Sequence, residues 1–134
     1  MRAVASFTID SWKEKPWHRD RAGANRLTRT EVIRSYQGSI RGRSKAELVS
    51  AYSGGEPRVY SGLELVRCEL EGREGSFTLF HVGRIEPTGT ELEATIVDGS
   101  GTGALAGITG RAEISRSTTG EHRVVLDYDL MPGG

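Results

Sequence analysis

The stretch Ile40-Arg41-Gly42-Arg43-Ser44-Lys45-Ala46-Glu47-Leu48-Val49-Ser50-Ala51-Tyr52 decides the fold. Ile40, Ser44, Ala46, Leu48 and Tyr52 share one parity, and Arg41, Arg43, Lys45 and Glu47 take the other. Successive side chains of a strand point to opposite faces, so this period of two predicts a strand with one dry and one wet side. The turn cluster Ser53-Gly54-Gly55-Glu56-Pro57 closes it.

The same alternation continues in both directions. Downstream, a strand from about Arg58 to Leu70 places Tyr60, Gly62, Glu64, Val66, Cys68 and Leu70 on one side and Ser61, Arg67 and Glu69 on the other. A strand from Ser76 to Ile85 follows and gives Phe77, Leu79, His81 and Gly83 a common face. Further strands are expected over Glu91–Val97, Arg111–Ser115 and Arg123–Leu130. Upstream, Leu27–Tyr36 and Ala3–Ile9 alternate too, while residues 10–26, with Pro16, Gly23 and mixed charges, are expected to form a long loop at the barrel mouth. The 18 glycines are spread along the chain, as repeated turns and bulges require. About eight short strands and no amphipathic helix predict an all-β fold, a single antiparallel β-barrel domain over residues 1–134 with a flexible tail at 131–134. Closure into a barrel would also remove exposed sheet edges.

Composition narrows the function classes. Eighteen basic and eighteen acidic side chains cancel, so no overall field favours nucleic acid or an anionic membrane, and neither is expected as a partner. No stretch approaches the ~20 apolar residues of a membrane span, and the N-terminus has no apolar signal region; the chain is expected to be cytoplasmic. The single cysteine, Cys68, excludes an internal disulfide and is expected to be a small buried apolar group.

Several segments resemble a bacterial family of uncharacterised proteins with an allene-oxide-cyclase-like barrel. They are Phe7-Thr8-Ile9 with Ser11-Trp12 and Glu14-Lys15-Pro16, Gly62-Leu63-Glu64, and Gly75-Ser76-Phe77 leading to His81 and Gly83. Gly99-Ser100-Gly101-Thr102-Gly103 with Leu105-Ala106-Gly107, and Leu126-Asp127-Tyr128, complete the match in the family's order. The resemblance implies an eight-stranded calycin-like barrel and self-association. It assigns no catalytic residue, because those of the plant cyclases have no counterparts that can be matched one by one.

The alternation itself points to a candidate site. Glu64 and His81 fall on the inner faces of neighbouring strands joined by a short connection. A carboxyl group in an apolar pocket has its pKa raised, and an adjacent imidazolium lowers it again, so such a pair suits proton transfer near neutral pH. An internal hydrogen bond that only fixes the core explains the pair equally well. Arg34 shares the inner face with Thr30, Val32 and Tyr36, as an internal cation or one reaching out at the mouth. Tyr36, Tyr52, Tyr60 and Tyr128 also fall inside, as ligand contacts or as packing with a tethered hydroxyl.

Other motifs carry less. Gly101-Thr102-Gly103-Ala104-Leu105-Ala106 fits G-x-G-x-x-A, but no amphipathic helix and no βαβ unit surround it. His18, His81 and His122 lack metal-ligand spacing, so neither metal nor cofactor is expected. The sequence therefore supports two readings. One is a small-molecule-binding barrel for an apolar or amphipathic ligand, in its catalytic form a cofactor-independent isomerase or cyclase with Glu64 and His81 as acid and base. The other is a non-catalytic ligand-binding or structural barrel that self-associates. An open cavity reaching Glu64 would favour the first, a filled interior the second. Self-association is expected through an exposed apolar face formed by Leu63, Leu65, Thr78, Phe80 and Val82.

Overall fold

The computed structural model describes residues 1–21, 23–87 and 89–130. The tail expected to be flexible, 131–134, lies outside them, as does residue 88 of the expected 87–90 turn. The strands are β1 (Arg2–Arg19), β2 (Arg26–Gly38), β3 (Ile40–Ser53), β4 (Glu56–Leu70), β5 (Arg73–Glu86), β6 (Gly89–Ile96), β7 (Thr102–Gly103), β8 (Ile108–Arg116) and β9 (His122–Leu130). No helix among the described residues is long and apolar enough to cross a membrane.

All pairings are antiparallel, and the sheet closes on itself in a ring of eight strands, β7 lying outside the ring against β5. Following paired residues round from Ala3 leads through Leu126, Ala112, Ala94, His81, Gly62, Leu48 and Thr30. The path returns to β1 at Glu14, not at Ala3. That stagger means that the strands tilt against the ring axis, as closure demands. It also brings inward side chains from β2, β3, β4 and β5 to a common level inside.

The alternation set the faces correctly. Ile40, Ser44, Ala46, Leu48, Glu64, Val66, Phe77, Leu79 and His81 are buried, while Arg41, Arg43, Lys45 and Glu47 stay in water. The core at one end joins Phe7, Tyr36, Leu70, Phe77, Ile96 and Leu126 with their neighbours, and a smaller cluster of Val32, Ala46 and Leu48 sits towards the other end.

The first end is closed. The segment from Gly99 to Gly107 folds under it and buries Leu105 completely. Thr102 holds this segment by accepting from the Ser76 amide at 3.0 Å and pairing with the Ser76 hydroxyl at 2.6 Å. Ser100 accepts from the Thr78 amide at 3.0 Å. The short strand β7, which alternation did not reveal, is part of this tether. Beside it, β4 and β5 are joined by Glu71-Gly72, both at positive φ (49° and 88°), the conformation of a tight hairpin turn. Glycine takes that conformation without cost, and Glu71 is held there while its carboxylate accepts from the Tyr128 hydroxyl at 2.6 Å.

The opposite end differs from the expectation. Residues 10–26 are not a long loop: β1 runs on through Arg19 and pairs with β2 from Ala5 to Arg19, and β2 begins at Arg26. Two bulges, between Ile9 and Ser11 and between Pro16 and His18, shift the parity and hide the alternation. Among the described residues β1 has no neighbour on its β9 side beyond Phe7, and β6 meets β8 only at Ala94 and Thr95. The wall therefore opens here into a mouth, and the inner face of β1 is left in water.

Candidate functional site

Five side chains from four strands meet between the closed end and the mouth. Arg34 and Tyr36 come from β2, Ser44 from β3, Glu64 from β4 and His81 from β5, each from an inward position of its strand. Glu64 is 0% exposed. Its Oε1 accepts from Arg34 Nη1 at 3.1 Å and lies 2.7 Å from His81 Nε2, while Oε2 accepts from Tyr36 Oη at 2.6 Å and Ser44 Oγ at 2.5 Å. An ionised carboxylate only accepts, so His81 carries its proton on Nε2 towards Glu64.

The electrostatics follow from this shell. Burial alone would push the Glu64 carboxyl up, but the His81 hydrogen bond, the Arg34 charge and Ser44 outweigh it and hold it at about 2. Burial opposes the Arg34 charge too, yet Glu64 keeps its pKa above the ordinary value. Burial and the Glu64 charge both raise Tyr36. A carboxylate offers about four lone-pair sites, and four donors occupy those of Glu64. It is a fixed anion, well suited to holding four strands together and poorly suited to exchanging a proton.

The site residues expected from the sequence separate into two groups. Glu64, His81, Arg34 and Tyr36 come together as described. Tyr60 lies at the mouth, partly buried, with its ring across Gly83, where a Cβ atom would come within 2.0 Å of Cε1. Tyr52 is further out: its hydroxyl donates to Glu14 at 2.9 Å and the Arg26 guanidinium lies 3.8 Å from its ring centre. Tyr128 is inside but at the closed end, bonded to Glu71, where burial and that carboxylate raise it to about 12. Tyr52 and Tyr128 therefore do not join Glu64. Ser44 was legible only as an inward residue of β3, and no sequence signal marked it as a Glu64 partner.

A void of about 10 Å³ remains among Tyr36, Phe77, Leu79 and Leu126, room for one water at most. A shallow hollow of about 1260 Å³ lies along β6, β8 and β9, lined by Ala94, Arg111, Ala112 and Val125 among others. Neither is lined by Glu64, His81 or Arg34. Among the described residues no cluster of His, Cys, Asp and Glu is arranged to hold a metal ion.

The mouth has a different character. Trp12 pairs with fully buried Val32 and so stands on the inner face of β1, 53% exposed; Trp17, in the second bulge, is 61% exposed. These are the chain's 2 tryptophans. Ile9, opposite Arg34, is exposed as well. At the base of the mouth the Arg34 guanidinium lies 4.6 Å from the centre of the Phe7 ring, and His122 stacks against that ring at 4.8 Å. Arg34 donates to Glu64 through Nη1, and its Nε is buried with no hydrogen-bond partner. Burial, Arg116 and Arg34 together lower the His122 pKa.

An all-β protein built on an antiparallel ring of eight strands, with a saturated buried carboxylate at its centre, is the class that this geometry defines. Residues 3–128 match the family described as "protein of unknown function (DUF3224)", and the chain belongs to that family. A solved structure of a DUF3224-family protein of unknown function from Shewanella oneidensis MR-1 is similar at 27% identity, with a TM-score of 0.83 and 98% of each chain covered. No curated protein matches the chain.

Proposed function

We propose that this protein is a non-catalytic binding protein that takes a small amphipathic molecule at the mouth of its ring. The observation that carries this reading is the contrast between the two ends of one inner surface. Glu64 is out of water with four donors, whereas Ile9 and Trp12, on the inner face of β1 opposite Arg34 and Val32, are left in water, and Trp17 is exposed further along β1. Exposed tryptophans at the rim of a concavity supply apolar contact at small conformational cost. Arg34, whose N–H groups are only partly engaged, would meet the polar end of the ligand. We read the closed ring as a calycin-like barrel of the allene-oxide-cyclase type, on the strength of its eight antiparallel strands and staggered closure.

An isomerase or cyclase working through Glu64 has less support. Such a step needs a carboxylate with a vacant lone pair and a pKa near the working pH, and Glu64 has neither.

The two tryptophans make the test direct, because the chain's whole indole emission comes from the mouth. Titration with a medium-chain carboxylate and with the matching alcohol should give a saturable change in emission, the carboxylate binding more tightly. Trp12→Ser should weaken binding at least several-fold while leaving the thermal midpoint nearly unchanged. Emission that stays flat for both ligands would remove the mouth as a binding site.

A further inference from the structure

The outer face of β4 and β5 carries a second feature, unrelated to the mouth. Leu63 is 53% exposed and Phe80 45%, and the two are direct cross-strand partners. Leu65, Val82, Val59 and Val49 surround them, each more than a third exposed. Single exposed apolar residues are ordinary, but six in one contiguous area mark a surface that is covered. Charged residues rim it: Lys45 and Glu47 on β3, Glu93 on β6, Arg67 below and Arg84 above.

We propose that this face packs against the same face of a second copy of the chain, about a two-fold axis parallel to the strands and midway between β4 and β5. The apolar centre, self-complementary under one two-fold, points to a second copy as the occupant, and the charge pattern chooses the axis. Two identical sheet faces can stack about a two-fold axis that runs along the strands or one that runs across them. An axis across the strands at the Leu63–Phe80 level puts β3 on the partner's β3. Glu47, which pairs with Leu63, would then lie against its own copy, and like charges in a desolvating contact repel. An axis along the strands puts β4 on the partner's β5 and β3 on its β6. Each copy's Leu63 then lies on the other's Phe80, so the apolar centre is self-complementary. Around it, Glu47 meets Thr95, Lys45 meets Val97 and Val49 meets Glu93, with no like charges opposed. Such a centre with a charged rim is the usual anatomy of a protein interface.

The register makes the proposal testable by complementation. The wild-type chain in light scattering or sedimentation at tens of micromolar should have twice its 14.6 kDa mass. Leu63→Glu and Phe80→Arg should each give a monomer, because each buries a lone charge against an apolar partner. Both side chains are about half exposed within one copy, so circular dichroism should show both variants folded. If either is not, Leu63→Ser and Phe80→Ser replace them in the loss-of-association step. Mixing Leu63→Glu with Phe80→Arg in equal amounts should restore a dimer. One glutamate then faces one arginine, and the other half of the interface is the native Leu63–Phe80 contact. A strictly monomeric wild type would overturn the proposal. So would an oligomer that both variants leave intact, a ring of more than two copies, or two monomeric variants whose mixture stays monomeric.

Discussion

His81 Nε2 lies 2.7 Å from Glu64 Oε1, on an adjacent strand and at a level that water does not reach. Taken alone, this pair looks like an acid and a base. What decides its chemistry is the rest of the carboxylate's shell, since Arg34, Tyr36 and Ser44 occupy the remaining positions on Glu64. A carboxylate held this way cross-links β2, β3, β4 and β5 from inside the ring, and its removal should be felt as lost stability.

Glu64→Gln keeps the size of the side chain but turns one acceptor into a donor and leaves the buried Arg34 cation without a counter-charge. Breaking a buried ion pair on one side costs about 3–5 kcal/mol. The expected result is a fall in the thermal midpoint on the order of 10 °C for a domain of this size, read by circular dichroism. If the midpoint hardly moves, Glu64 is not the lock described here, and an assay for turnover becomes the next measurement.

The acid limb should report the same residue. Glu64 has its carboxyl at about 2 in the folded protein against an ordinary 4.5. A carboxyl whose pKa is depressed by folding contributes stability that is complete above the ordinary value and is lost as pH falls through the folded one. The contribution is on the order of 3 kcal/mol. Wild type and Glu64→Gln should therefore differ most above pH 4.5 and converge as pH falls towards 2, in urea titrations at each pH. A constant gap across that range would show that the carboxylate's ionisation is not what stabilises the fold.

Gly83→Ala probes the mouth. The added Cβ would come within 2.0 Å of the Tyr60 ring, on its direct cross-strand partner, so the ring must leave its place. Overpacking of this kind costs about 1–3 kcal/mol. The unfolding free energy should drop by that amount, and ligand affinity measured by tryptophan emission should change with it. Wild-type behaviour in both would mean that Tyr60 is not seated over Gly83.

The sequence by itself determined which side of each central strand faces inward. Side chains alternate with a period of two, and charge cannot be placed in the core without partners. From Leu27 to Tyr36, from Ile40 to Tyr52 and from Tyr60 to Gly83 that was enough to put Arg34, Tyr36, Glu64 and His81 inside and Leu63 and Phe80 outside. It failed for residues 10–19 because both faces of β1 are wet at the mouth and two bulges break the parity, so a paired strand read as a loop. Only the tertiary structure decided which inward groups meet. Arg34 and Ser44 reach Glu64, whereas Tyr128 bonds to Glu71 at the closed end. The difference lies in the stagger with which the ring closes, a sum of registers over eight strands that no single segment encodes.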